Sequence, residues 1–369
     1  MSTIPVLDQI EPREFFDDYC MRNRPCVLAS GARHWPALER WRSDDYLRRK
    51  VGHRIVARTR STRSDLGFDH ISPISGVRFA EFLDSYQGDG RQYINDVAFP
   101  AVLISDIGGS PLLDGFAQLE TRDRRIGMFM GSGQQFAPLH YDDEDNIYVV
   151  VCGEKRFTLF DIADFAGLYP HDDHDLPDFS RVPDPDQVDL DEFPAYAKVT
   201  RYDVRLGPGD MLYVPGYWWH SVRASGRSIA LSYVRLDRRT QRLVFSKLLA
   251  AGVFPLCDAQ RAEVTALLAT PDQTARDVER ELAAGRLEWD DLYSLYARLV
   301  TLASDTIARG RDQAALHAAF EQVVPEVRAR LHAEIGRTSY PVLYLMNNFF
   351  RAGLGVFMSY LSRSEEQSR

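Results

Sequence analysis

Cysteine is scarce in this chain, and what little there is has no pattern. Cys20, Cys26, Cys152 and Cys257 are scattered through 369 residues without a CxxC spacing, which excludes a disulfide framework and makes a reducing cytoplasm the expected setting. Long apolar runs are missing too. The longest, Val342 to Leu361, is broken by Asn347, Asn348 and Arg351, so no membrane span is expected, and the opening MSTIPVLDQIEPREFF lacks the basic start and apolar run of a signal peptide. Basic charge is in deficit: 44 Lys and Arg against 53 Asp and Glu give a net charge of −9. A nucleic-acid binder normally carries a basic face, so that class is disfavoured, whereas a basic substrate is compatible. There is no internal repeat and no low-complexity tract.

What is present is an ordinary globular composition, 45% hydrophobic and 26% charged, on a chain long enough for a large domain plus a second module. The first hundred residues mix short signals: a helix over Glu11 to Met21, a strand over Pro25 to Ala29, and a helix over Val77 to Tyr86. From Tyr93 to Arg235 the pattern turns to short β-rich runs (YIND, IGMFMG, IYVVVCG, KRFTLFD, MLYVPG, SIALSYV), which predict a barrel or sandwich. A proline-bearing acidic stretch, His171 to Pro194, reads as a surface excursion. Beyond residue 236 apolar residues recur at helical steps, with Pro271, Gly285, Pro325 and Pro341 as breakpoints. The expected organisation is thus mainly β with α: a catalytic unit over residues 1–236 and a helical module over 237–369.

Chemistry concentrates in FAPLHYDDEDNIYVVVCGEKRFTLF and GDMLYVPGYWWHSV. His140 and Asp142 stand two positions apart, and on a strand such residues project to one face. His220, just after the Pro215-Gly216 turn, supplies a distant third ligand. Two histidines and one carboxylate leave adjacent coordination positions open, as in non-haem iron(II) oxygenases, where a structural zinc site would be closed by four ligands. Taken alone, the spacing is equally that of a surface His-Asp pair and a core histidine beside Trp218 and Trp219.

Residues 140–160 and 207–222 resemble the two signature stretches of JmjC proteins of the small hydroxylase group, which includes the asparaginyl hydroxylase of hypoxia signalling. Residues 24–41 and 184–199 are similar to the stretches before and between those signatures, so the resemblance covers residues 24 to 235 in outline. It implies a double-stranded β-helix (jelly-roll, cupin) core holding Fe(II) through His140, Asp142 and His220, with 2-oxoglutarate as cosubstrate and O2 as oxidant. Lys155 matches the lysine that pairs with the distal carboxylate of 2-oxoglutarate, Tyr93 the tyrosine that reaches the same carboxylate, and Asn146 the asparagine beside the cosubstrate. Ala137 stands where many relatives place a threonine or serine on 2-oxoglutarate, leaving Gln134 or Gln135 as substitutes, and Ser232 stands where relatives often place asparagine.

The implied reaction is hydroxylation of a peptide or protein side chain. A free amino acid or other small metabolite, lysine demethylation, a zinc or manganese cupin activity and a barrel without turnover are the alternatives. Asp143, Glu144 and Asp145 are either a solvated turn or a reader of basic substrates. The cluster His171 to Asp175 lacks strand spacing and is not expected to hold metal. The apolar face of Val342, Leu345, Met346, Phe349, Phe350, Val356, Phe357 and Leu361, with the resemblance, predicts a homodimer through C-terminal helices.

Overall fold

The structure, a computed structural model, describes residues 3–60, 72–88, 92–118, 125–133, 135–172, 177–235, 239–335, 341–342 and 344–345. Contacts divide the chain into two compact units, one of Met1–Asp161 with Phe179–Leu236, the other of Ile162–Asp178 with Asp237–Arg369. The excursion expected over residues 171–194 is therefore cut at Phe179, and its first part groups with the C-terminal helices.

The first unit is built on eleven strands: β1 (Val6–Leu7), β2 (Cys26–Leu28), β3 (Ile55–Arg60), β4 (Ser72–Arg78), β5 (Gln92–Ala98), β6 (Arg125–Gly131), β7 (Phe136–His140), β8 (Asp145–Phe160), β9 (Tyr202–Leu206), β10 (Met211–Val214) and β11 (Trp219–Arg235). Their order is β1-β2-β10-β8-β11-β6-β5-β3-β4, with β7 added on β11 and β9 on β8; among the described residues only the β1–β2 pair is parallel. The two runs IYVVVCG and KRFTLFD, separate in the sequence reading, are one strand. β8 and β11 run antiparallel along nearly their whole lengths, shifting register near Cys152 and Ile229. Gly153 permits this: its φ is +76°, and a Cβ there would lie 2.3 Å from the Arg227 carbonyl oxygen.

Alternation along these strands separates two cores. Ile147, Val149 and Val151 of β8, Met128 and Met130 of β6, and Ile229 and Leu231 of β11 pack with Phe15, Trp41, Phe79 and Phe82 from the N-terminal helices. Tyr148, Val150, Phe157 and Leu159 of β8, with Ala230 of β11 and Leu212 and Val214 of β10, form the opposite face, which is the interior. The double-stranded β-helix is the natural reading of this sheet.

In the second unit helices run over Gln241–Ala250, Asp258–Ala269, Pro271–Ala283, Leu292–Ala308 and Gln313–Ile335. The Asp291 carboxylate caps Leu292–Ala308 by accepting from the Tyr293 and Ser294 N–H groups. Pro271 opens a helix, and Gly285, at φ +70°, follows the end of one. Pro325 is a correction: it lies inside Gln313–Ile335, where Val323, Val324 and Val327 are buried and offset the lost hydrogen bond. No helix among the described residues is long and apolar enough to cross a membrane. Phe349 and Phe350, on which the dimer expectation rests, lie outside the described residues.

Candidate metal centre

His140 ends β7, and His220 sits opposite it in register on β11. Between His220 and Val222 the ladder shifts by a residue at Pro138 and Leu139, and Pro138 has no N–H to give to it. The two imidazole rings lie 4.3 Å apart. Asp142 does not share their ladder. It lies past the end of β7, so the strand-alternation argument for HxD does not place it; the following loop does. The loop is held by the Tyr217 N–H, which donates to the Asp142 carbonyl at 2.7 Å, with Tyr217 in the left-handed region at φ 68°. One ligand atom from each of His140, Asp142 and His220 lies within 4.8 Å of the others, and the Asp142 Oδ2 to His220 Nε2 distance is 3.6 Å.

The donor set fits a divalent transition metal. His140 Nδ1 lies 2.8 Å from the Pro138 carbonyl and His220 Nδ1 lies 3.0 Å from the Trp218 carbonyl. A carbonyl only accepts, so each Nδ1 carries its proton and each Nε2 presents a lone pair. Burial, reinforced by His140, pushes His220 down to about 4, which keeps its ring neutral and able to ligate. Asp142 brings one negative charge. Among the described residues no fourth His, Cys, Asp or Glu joins this group, so a bound ion would keep open positions.

The turn preceding His220 is clamped from several sides. Asp145 Oδ1 accepts from the Gly216 N–H at 2.9 Å, and Asn23 donates to the Gly216 carbonyl at 2.8 Å. Trp218 Nε1 donates to Asn23 in turn, so Trp218 belongs to the packing beneath the site. Asp145 is 1% exposed and paired with Arg235 at 3.0 Å, which removes it from the acidic run proposed to read basic substrates. Phe179 stacks on the His140 ring at 5.2 Å with planes 17° apart, and an isolated bridge joins the two residues. Part of the excursion is thus a wall of the site. Sequence gave no signal for Asn23 or Phe179, because their contacts are 193 positions away in one case and cross a loop in the other.

Lys155 is 2% exposed, on the interior face of β8. Its Nζ donates to the Tyr93 hydroxyl over 3.4 Å and lies 5.4 Å from the Tyr93 ring centroid. No carboxylate pairs with it among the described residues, and burial pushes it down to about 7. Such a cation suits an incoming carboxylate. Asn146 and Ser232 meet as well: Ser232 Oγ donates to Asn146 Oδ1 at 2.8 Å between β8 and β11. Of the two substitutes expected for the hydroxyl missing at Ala137, Gln134 lies outside the described residues. Gln135 is engaged with its own turn, accepting from the Gly133 N–H and donating to Ser132. His171 and Asp172 are described and Asp173, His174 and Asp175 are not.

A family model described as "Cupin-like domain" matches residues 12–234. The chain belongs to the cupin-like domain family. Within it, the chain is 31% identical over 248 residues to Jumonji C domain-containing protein 5 of Drosophila melanogaster, covering 62% of this chain and 59% of that protein. It is 26% identical over 269 residues to the bifunctional peptidase and (3S)-lysyl hydroxylase JMJD7 of Homo sapiens, 62% of this chain and 83% of that protein. A shorter stretch of 143 residues is 40% identical to tRNA wybutosine-synthesizing protein 5 of Mus musculus, 38% of this chain and 42% of that protein. The chain spans only about half to three-fifths of the length of several of these relatives, as with lysine-specific demethylase 8 of Xenopus tropicalis, where the match covers 52%. The cupin-like match takes in every residue of the site, and the resemblance to JmjC proteins read from the signatures stands.

Proposed function

We propose that this cupin-like chain is an Fe(II)- and 2-oxoglutarate-dependent oxygenase that hydroxylates a side chain of a peptide or protein. The observation that carries the reading is the pair of Nδ1-pinned histidines that converge with Asp142, together with a buried lysine on β8 that has no carboxylate partner among the described residues. Iron(II) held there would activate dioxygen, with 2-oxoglutarate oxidised to succinate and CO2 while one oxygen atom enters the substrate C–H bond.

The protein's own residues do the holding and orienting. His140, Asp142 and His220 would hold the ion. Lys155, assisted by Tyr93, draws the distal carboxylate of 2-oxoglutarate into the interior, and the buried walls around Phe157 and Leu159 keep water from it. A peptide or protein substrate is favoured over a small metabolite because the relatives named above include a lysyl hydroxylase and a lysine-specific demethylase.

Succinate formation tests the reading directly. The full chain with Fe(II), ascorbate and 2-oxoglutarate is expected to release succinate, and a peptide library incubated with it to gain the mass of one oxygen atom. Metal-dependent turnover that ignores 2-oxoglutarate would replace this reading with another cupin activity.

A further inference from the structure

Two aromatic residues of the interior differ in one respect that packing does not explain. Phe157 and Tyr148 face each other on β8, ring centroids 5.0 Å apart and edge to face, both buried. Phenylalanine suffices at 157. At 148 the ring carries a hydroxyl on a side chain that is 5% exposed; no described residue bonds it, and it is not one of the sealed polar atoms lacking a partner, so it opens on accessible space. A polar group at that opening is free to meet a ligand, whereas phenylalanine would fill nearly the same volume and offer none.

The surroundings place that ring. Tyr148 stands opposite Ser232 in register, on the interior face that also carries Phe157 and, two residues earlier on the same strand, Lys155. The Phe129 ring lies 5.5 Å from Tyr148 and 6.3 Å from Tyr93, bridging the two phenols, and Lys155 Nζ donates to the Tyr93 hydroxyl. Lys155, Tyr93 and Tyr148 therefore share one recess of the interior. Burial, reinforced by the Tyr93 phenol and the Asp96 carboxylate, holds the Tyr148 hydroxyl well above the ordinary phenol range, so that it remains a donor. Position 137, where the resemblance leads one to expect a hydroxyl, carries only a methyl group.

We propose that the Tyr148 hydroxyl is a third donor, with Lys155 and Tyr93, to the distal carboxylate of 2-oxoglutarate, and so supplies from β8 the hydrogen bond that Ala137 cannot give. This rests on the reading of the chain as a 2-oxoglutarate-dependent oxygenase. It makes Tyr148 a binding residue for the cosubstrate with no part in holding the metal.

Calorimetric titration of the full chain loaded with Mn(II), which does not turn over, reads this without activity. Tyr148→Phe, which keeps the ring, is expected to weaken 2-oxoglutarate binding roughly tenfold to a hundredfold, as befits one hydrogen bond to a charged group. Its Mn(II) affinity and melting temperature should match those of the unsubstituted protein. For 2-oxobutanoate, which lacks the distal carboxylate, the two proteins should bind alike. Equal 2-oxoglutarate affinities would overturn the proposal, and so would an equal loss for both 2-oxo acids, which would make Tyr148 a packing residue. Failure of the unsubstituted protein to bind 2-oxoglutarate would overturn the underlying reading and this one with it.

Discussion

Lys155 and Tyr93 meet in the sheet interior at 3.4 Å, ammonium to hydroxyl, although 62 positions separate them in the chain. The lysine is buried without a carboxylate partner among the described residues, an arrangement that weakens the apo protein and favours a dicarboxylate ligand. Lys155→Met should raise the apparent KM for 2-oxoglutarate by roughly tenfold or more while leaving that for the hydroxylated substrate nearly unchanged. Initial rates at varied concentrations of each separate the two, and equal effects on both would return Lys155 to a packing role.

The same lysine sets a pH dependence. Burial lowers it from 10.5 to about 7, so between about 7 and 10.5 the unfolded chain binds a proton that the folded apo protein does not. Stability then rises with pH across that window on this residue's account, and Lys155→Met should flatten the rise. A carboxylate ligand needs the ammonium form, so 2-oxoglutarate binding above pH 7 should take up a proton. Calorimetry in buffers of differing ionisation enthalpy measures that uptake, and its absence would place the ligand elsewhere.

Asp142 brings both a ligand atom and the single negative charge of the triad. Asp142→Ala should abolish succinate formation and greatly weaken metal binding, with little change in melting temperature, because the residue lies in a loop and is partly exposed. Normal turnover by this variant would refute the triad.

Phe179 covers the His140 ring in a stacked contact. Phe179→Ala should loosen that ring and admit water beside it, reducing Mn(II) or Fe(II) affinity about tenfold, the range seen when groups that orient metal ligands are removed. Metal titration followed by spectroscopy checks this. Unchanged affinity would show that the Pro138 carbonyl alone fixes the ring.

Asp145 and Arg235 form a buried pair, with the Arg235 guanidinium packed over the Phe16 and Phe116 rings. Asp145→Ala strands that cation and releases the Gly216 N–H, a loss of about 3–5 kcal/mol. Replacing both, Asp145→Leu with Arg235→Met, should recover much of it, since removing a whole pair costs less than breaking one. Denaturant unfolding of the single and double variants tests the ranking.

Several features of this protein were fixed by short stretches of its sequence. The β-rich runs between Tyr93 and Arg235 and the helical steps beyond residue 236 follow from side-chain periodicity, a local property. His140 and His220 were legible because the signatures around them are contiguous, and Lys155 because it follows the Gly153 turn at a set distance. Other features were decided by tertiary structure. Asp142 reaches the site through a loop held by the Tyr217 N–H, not through strand alternation. Asp145 reads as one of three surface acids until Arg235, 90 positions away, is seen to bury it. Phe179 belongs to a stretch that sequence marks as solvent-facing, and its place on His140 depends on how a long connection returns to β7. Pro325 marks a break by local rules, yet burial of its valine neighbours carries the helix through it. Tyr148 looks like any strand aromatic, and only the convergence of β5, β6 and β8 sets its ring against Phe129, which also neighbours Tyr93. In each case the deciding energy is a contact between distant segments, which no local pattern encodes.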